Sequence, residues 1–214
     1  MKIPASHGHL EATIREPEGA VRGAAVVCHP HPQHGGTMHT KAVFRTAQAL
    51  NEVGIRALRF NFRGVGTSTG EWDRGVGEKD DVRAALDWMA SEEPDLPLVL
   101  AGFSFGSRMG LEVASGDSRV RALVGLGLPV AHYDFDFLRD VDRPLLLVQG
   151  ENDEFGGEAE IRELFKELGP SAELAVIPSS GHYFHDHFDE LKAAIRDFFE
   201  SGPGAGVFAG GDHA

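Results

Sequence analysis

The sequence predicts an α/β protein with a mainly parallel central sheet of about seven strands and helices on both faces. Apolar runs of strand length alternate with segments of helical period along most of the 214 residues. The strand candidates are apolar throughout, as strands covered on both faces must be. The length suits one domain with a sizeable core, and 42% hydrophobic with 25% charged residues is an ordinary globular composition.

The elements follow in order. Leu10 to Arg15 can supply an antiparallel edge strand. Ala24 to Cys28 is the first buried strand and runs into the turn-rich stretch His29 to Thr37. Val43, Ala47 and Leu50 fall at helical spacing, and Gly54 supplies the stop. Ile55 to Phe62 reads as a strand closed by Arg63-Gly64-Val65-Gly66. Val82, Ala85, Leu86 and Met89 form one helical stripe that ends before Pro94. Leu98 to Phe103 is the next strand, and the segment after Ser104 is compatible with a helix. Ala122 to Leu128 and Pro144 to Gln149 read as strands, followed by a helix carrying Ile161, Leu164, Phe165 and Leu168. Leu174 to Ile177 is the last strand. Phe184, Phe188, Leu191, Ile195 and Phe198 then mark an amphipathic final helix that would start at Phe184. The Gly-, Ala- and Pro-containing end is expected to be flexible, giving a single domain over 1–201 and a tail over 202–214.

Charge narrows the partners. Twenty Lys and Arg stand against thirty-three Asp and Glu, a net −13 that repels phosphate backbones and anionic membranes. Nucleic acid and membrane are therefore not expected as partners. No apolar run reaches the 18 or so residues of a membrane helix, and the N-terminus lacks a signal-peptide core, so a cytoplasmic address is expected. The single cysteine, Cys28, excludes an internal disulfide. The oligomeric state stays open, a homodimer included.

The chemistry centres on Gly102-Phe103-Ser104-Phe105-Gly106, where a strand ends and a helix begins. A nucleophilic serine must stand on a tight, strained turn that holds its hydroxyl clear of the sheet. The residues two before and two after it pass too closely for side chains, which calls for glycine at both places. A serine hydroxyl needs a base, and the base needs an orienting acid. Active groups in open parallel sheets gather beyond the carboxyl ends of strands. Asp153 lies just past one strand end and His182 just past another, giving the order Ser, Asp, His. Ser104 is thus the candidate nucleophile, His182 the base and Asp153 the acid. Glu151 and Glu154 compete for the acid role. His185 and His187 compete for the base, although the polar face of the final helix would carry them outward.

Acyl transfer also needs backbone N–H donors for the oxyanion. Phe105 N–H, next to the nucleophile, is one. The other should come from the loop after the first parallel strand, His29-Pro30-His31-Pro32, where the prolines have no N–H to give. His31 is then the donor among residues 30–32, with Gln33 the next candidate. These residues equally suit a rigid turn without a ligand.

His29-Pro30-His31-Pro32, Gly35-Gly36-Thr37-Met38 and Phe62-Arg63-Gly64-Val65-Gly66-Thr67-Ser68 together resemble a group of small, lid-poor bacterial α/β-hydrolases. The group is similar to dienelactone hydrolases and to short-chain esterases or thioesterases, and the likeness runs from about Leu10 to Phe199. It implies the α/β-hydrolase fold, the triad positions above and acyl transfer with no metal and no cofactor. Dienelactone hydrolases carry cysteine where this chain has Ser104, which argues against diene-lactone specificity.

Only Pro129 to Arg143 separates two strands where many such enzymes insert a helical cap, so no sizeable cap is expected. An open, shallow site suits a small-molecule ester or an acyl group on a carrier. His132, Tyr133, Phe135 and Phe137 either line the acyl side or pack on the sheet edge. Arg63 either binds an anion or forms a structural salt bridge. Three other readings compete. A metallohydrolase would need fixed ligand spacing, which neither His29, His31 and His34 nor His182, His185 and His187 match. Cys28 as nucleophile would sit inside a buried strand. A non-catalytic binding protein on the same fold would keep the triad without turnover.

Overall fold

The computed structural model describes residues 1–208. Its strands are β1 (Lys2–Ala5), β2 (Gly8–Arg15), β3 (Gly23–Cys28), β4 (Ile55–Phe60), β5 (Leu98–Phe103), β6 (Val120–Leu126), β7 (Leu145–Gly150) and β8 (Ala172–Ile177). The helices are α1 (Lys41–Glu52), α2 (Val76–Glu92), α3 (Phe105–Ser115), α4 (Glu158–Phe165) and α5 (Phe188–Glu200). One eight-stranded sheet runs in the order β1-β2-β4-β3-β5-β6-β7-β8. The pairs from β4 to β8 are parallel, and β1 and β2 join antiparallel at one edge.

β3, β5 and β7 are buried at every position, which is why their sequences do not alternate. On one face, Val43, Ala47 and Leu50 of α1 meet Leu191, Ile195 and Phe198 of α5 over Val27, Ala101 and Val124. On the other, Val82, Leu86 and Met89 of α2 and Met109 and Leu111 of α3 cover Val26, Leu58 and Leu100. The chain order reverses at β3, which has β4 on one side and β5 on the other. A crevice opens at the carboxyl ends of strands where neighbouring connections diverge in this way.

Two expectations are corrected. The sheet has eight strands rather than about seven, because Lys2–Ala5 forms a hairpin with β2; four residues containing Pro4 give no readable period. The final helix begins at Phe188, not Phe184, since Phe184 and Asp186 take left-handed φ of 54° and 64° that a helix cannot hold. Within the described part of the expected tail, Pro203–Phe208 forms a 3-10 turn. Phe208 sets its ring 5.6 Å from Phe199 and beneath the Arg22 guanidinium. The rest of the expected tail, 209–214, lies outside the described residues.

Candidate active site

β5 delivers the chain to Ser104 with φ 55° and ψ −121°, a left-handed conformation that costs a serine strain. Immediate entry into α3 enforces it. A Cβ at Gly102 would overlap the backbone of Gly106, and one at Gly106 would overlap the carbonyls of Cys28 and His29. Ser104 N–H donates to Leu126 O at 2.9 Å, and the Ser107 hydroxyl donates to Ser104 O at 2.6 Å. The Ser104 side chain remains half-buried and free to face the crevice.

His182 arrives on the loop after β8 with Nε2 2.9 Å from Ser104 Oγ. Its Nδ1 lies 2.8 and 2.9 Å from the two carboxylate oxygens of Asp153. A carboxylate accepts only, so Nδ1 carries the proton and Nε2 is left as acceptor toward the serine hydroxyl. Phe155 and Phe103 flank the imidazole at ring distances of 4.5 and 5.0 Å. Gly127, at φ 52°, passes so closely that a Cβ would sit 2.9 Å from the Phe103 ring and 3.3 Å from the imidazole. The three candidate residues, from three separate loops, therefore form one hydrogen-bonded chain.

The competing acids go elsewhere. Glu151 accepts from Ser179 N–H at 2.6 Å, and Glu154 is exposed, whereas Asp153 is buried. Asp153 Oδ1 also accepts from Phe155 N–H at 2.8 Å, and Oδ2 from Gln149 Nε2 at 2.9 Å. Gln149, fully buried near the end of β7, was read from sequence only as the end of a strand. Its amide further donates to Leu128 O and Gly156 O and accepts from Leu128 N–H at 2.8 Å. One side chain thus ties the acid loop to the end of β6. A polar residue closing the apolar run Leu145-Leu146-Leu147-Val148 was the available signal.

The loop after β3 is held by His29. Its Nδ1–H donates to Pro30 O at 2.6 Å, and its Nε2 accepts from Phe62 N–H at 3.0 Å. Burial pushes its pKa down to about 4, so the ring stays neutral and can accept. Pro30 C=O and His31 N–H share one planar trans peptide and point in opposite directions. Fixing the carbonyl therefore aims the N–H. Neither His31 N–H nor Phe105 N–H donates to another group among the described residues. Phe105 N–H is an orphan of the first turn of α3, at the positive end of the helix dipole. Gln33 N–H is engaged by His31 Nδ1 at 3.2 Å, which removes it as the alternative donor.

A family model described as an alpha/beta hydrolase domain matches residues 24–192. The chain belongs to the alpha/beta hydrolase family. Among solved structures it is similar to an alpha-beta serine hydrolase homologue from Coxiella burnetii, at 37% identity and a TM-score of 0.87 over 92% of this chain and 94% of that one. It is also similar to a serine hydrolase without lid from Xanthomonas campestris, at 35% identity and a TM-score of 0.86 over 94% and 92%. An uncharacterized protein of Rickettsia prowazekii is 32% identical, with 85% of each chain covered. Hydrolase chemistry is thus the family setting of the site.

In this alpha/beta hydrolase the crevice is a cleft of about 500 Å³. Its lining includes Pro30, His31, Gly36, Ser104 and Phe105 from the segments after β3 and β5, and Pro129, His132, Tyr133 and Phe155 from those after β6 and β7. Of the aromatic residues expected near the acyl side, His132 and Tyr133 line the cleft. Phe135 and Phe137 pack inward under Arg108. Among the described residues no cap covers the opening: the β6–β7 connection holds only a short 3-10 turn, Asp136–Asp140. Arg63 forms a two-pronged salt bridge with fully buried Asp81, which His7 also contacts. It is structural. His185 is exposed and His187 pairs with Glu190 at 3.3 Å, both outside the triad chain. Cys28 is fully buried, and burial pushes its thiol pKa up, away from a reactive thiolate. Among the described residues no three His, Cys, Asp or Glu side chains converge as a metal site, and no helix is long and apolar enough to cross a membrane.

Proposed function

We propose that the protein is a serine hydrolase of carboxylic esters, acting through an acyl-enzyme on Ser104. The continuous chain Ser104 Oγ–His182–Asp153 carries the reading. His182 Nε2 takes the hydroxyl proton as Ser104 Oγ attacks the ester carbonyl carbon. The electron pair of the C=O moves to oxygen, where His31 and Phe105 N–H groups stabilise it. Collapse expels the alcohol oxygen, which takes the proton from His182. Water then adds to the acyl carbon and passes its proton to His182. Ser104 leaves with that proton, releasing the acid. Asp153 stays ionised throughout and stabilises the imidazolium.

Small soluble esters suit the uncovered cleft, and thioesters follow the same steps. Fluorophosphonate labelling of Ser104, with a panel of aryl esters and acyl thioesters run on the wild type and Ser104→Ala, tests the reading. Labelling with turnover in the wild type and neither in the variant is the expected result. A labelled serine without turnover of any ester or thioester would favour a non-catalytic binding protein.

A further inference from the structure

We propose that the leaving-group side of the cleft takes an uncharged aromatic alcohol, making the substrates aryl or arylmethyl esters of small acids. The inference rests on the ester-hydrolase reading and names the substrate class of that site. The departing oxygen takes its proton from His182 Nε2, so it must lie within hydrogen-bond reach of that atom. The alcohol portion therefore begins beside the imidazole.

Rings collect there. Phe155 lies 4.5 Å from the His182 ring, Tyr183 lies 5.2 Å from it edge-on, and His132 lies 5.7 Å from Phe155. All three line the cleft. His132 and Tyr183 leave their rings exposed at the mouth, with Tyr183 41% exposed, so they are not spent on the core. On the oxyanion side the wall holds a stacked His31–His34 pair at 4.3 Å, Phe105 at 5.1 Å from His31, and Thr40, beside Gly35 and Gly36.

Charge points the same way. The protein carries a net −13, yet among the described residues no Asp, Glu, Lys or Arg lines the cleft. An ionised ligand would shed water there and find no counter-charge. Burial raises the Tyr133 phenol above its ordinary value, so its hydroxyl is neutral. A flat ring gains edge-to-face and offset contacts that an aliphatic ring of equal size does not.

The test keeps the acyl group constant and changes only the alcohol: benzyl acetate, cyclohexylmethyl acetate and 4-carboxybenzyl acetate. Benzyl acetate should exceed cyclohexylmethyl acetate by about tenfold in kcat/KM, and 4-carboxybenzyl acetate by more. Tyr183→Leu and His132→Leu should each lower the benzyl-to-cyclohexylmethyl ratio at least about threefold, since each removes a ring while keeping an apolar side chain. Equal turnover of the two neutral esters, or a ratio untouched in both variants, overturns the aromatic inference alone. If Ser104 is not labelled by fluorophosphonate and no ester turns over, the hydrolase reading falls and this inference with it.

Discussion

Two groups of histidines, His29, His31 and His34 after β3 and His182, His185 and His187 after β8, look alike in sequence and are put to opposite uses. Each has one buried ring. His29 spends both nitrogens on backbone, Pro30 O and Phe62 N–H, and is left with nothing to exchange. His182 spends one nitrogen on a carboxylate and turns the other to a hydroxyl. His29 thus holds the main chain of its loop, whereas His182 links Asp153 to Ser104. Burial alone does not mark a reactive histidine; the partner of its second nitrogen does.

The sharpest way to break that contrast is to remove the imidazole that should do chemistry. His182→Ala and Ser104→Ala should each lower kcat by about 10⁴ to 10⁶, because triad members act as a unit. Circular dichroism should stay native. More than a tenth of wild-type activity in a folded Ser104→Ala protein would end the serine mechanism.

On the other loop the peptide, not the ring, should matter. His31 has φ −53°, close to the proline value, so His31→Pro deletes the N–H with little demand on that angle. It should cost about 10² to 10³ in kcat, the usual loss for one oxyanion donor. His31→Ala keeps the N–H and should stay within about tenfold. Both variants lose the ring that accepts from Gln33 N–H, so their difference isolates the donor. A folded His31→Pro enzyme with normal kcat would move the donor away from residue 31.

How much of this was legible depended on whether side chains or backbone carried the information. Ser104, Asp153 and His182 stood out because each follows a strand and each residue type has a distinct chemical use. Spacing from Gly150 favours Asp153 over Glu151 and Glu154, and its burial and its bonds to His182 separate it from them in the structure. The parallel sheet was readable from apolar runs, whereas β1 was too short. The 203–208 turn packs through Phe208 on both Phe199 and Arg22, contacts that its local composition does not announce. Arg63 had two readings, and the buried partner Asp81, eighteen positions away, chose between them. His29 and Gln149 were the true omissions, since both act by hydrogen-bonding the main chain of loops whose paths the sequence does not reveal.

His29 provides the next test, in stability rather than rate. Its folded pKa of about 4 lies below the ordinary value of 6.5. Between those values the unfolded chain binds the proton and the folded chain does not, so stability rises with pH across this window. The full contribution is present above about pH 6.5 and is lost as pH falls toward 4; it amounts to about 3 kcal/mol. Urea unfolding of the wild type at pH 4.5 and 7 should show that slope, and His29→Phe should flatten it. An unchanged slope in the variant would mean that other groups carry the acid sensitivity.

Gln149 should give the smallest effect, and it asks whether the acid loop is positioned or merely stable. Gln149→Met keeps the length of the side chain without adding a charge, but it removes the amide's donors to Asp153 Oδ2, Leu128 O and Gly156 O and its acceptor for Leu128 N–H. One lost hydrogen bond to a charged group is worth about 1.5 kcal/mol or more, so kcat should fall about tenfold. Gln149 does not line the cleft, so KM for a small ester should hold within about twofold. Fluorophosphonate labelling of Ser104 should slow in parallel with kcat, because both need His182 correctly aimed. A purely structural role gives another pattern: a lower melting temperature, with kcat per folded molecule and the labelling rate unchanged. That pattern would leave Asp153 held by Phe155 N–H and His182 alone.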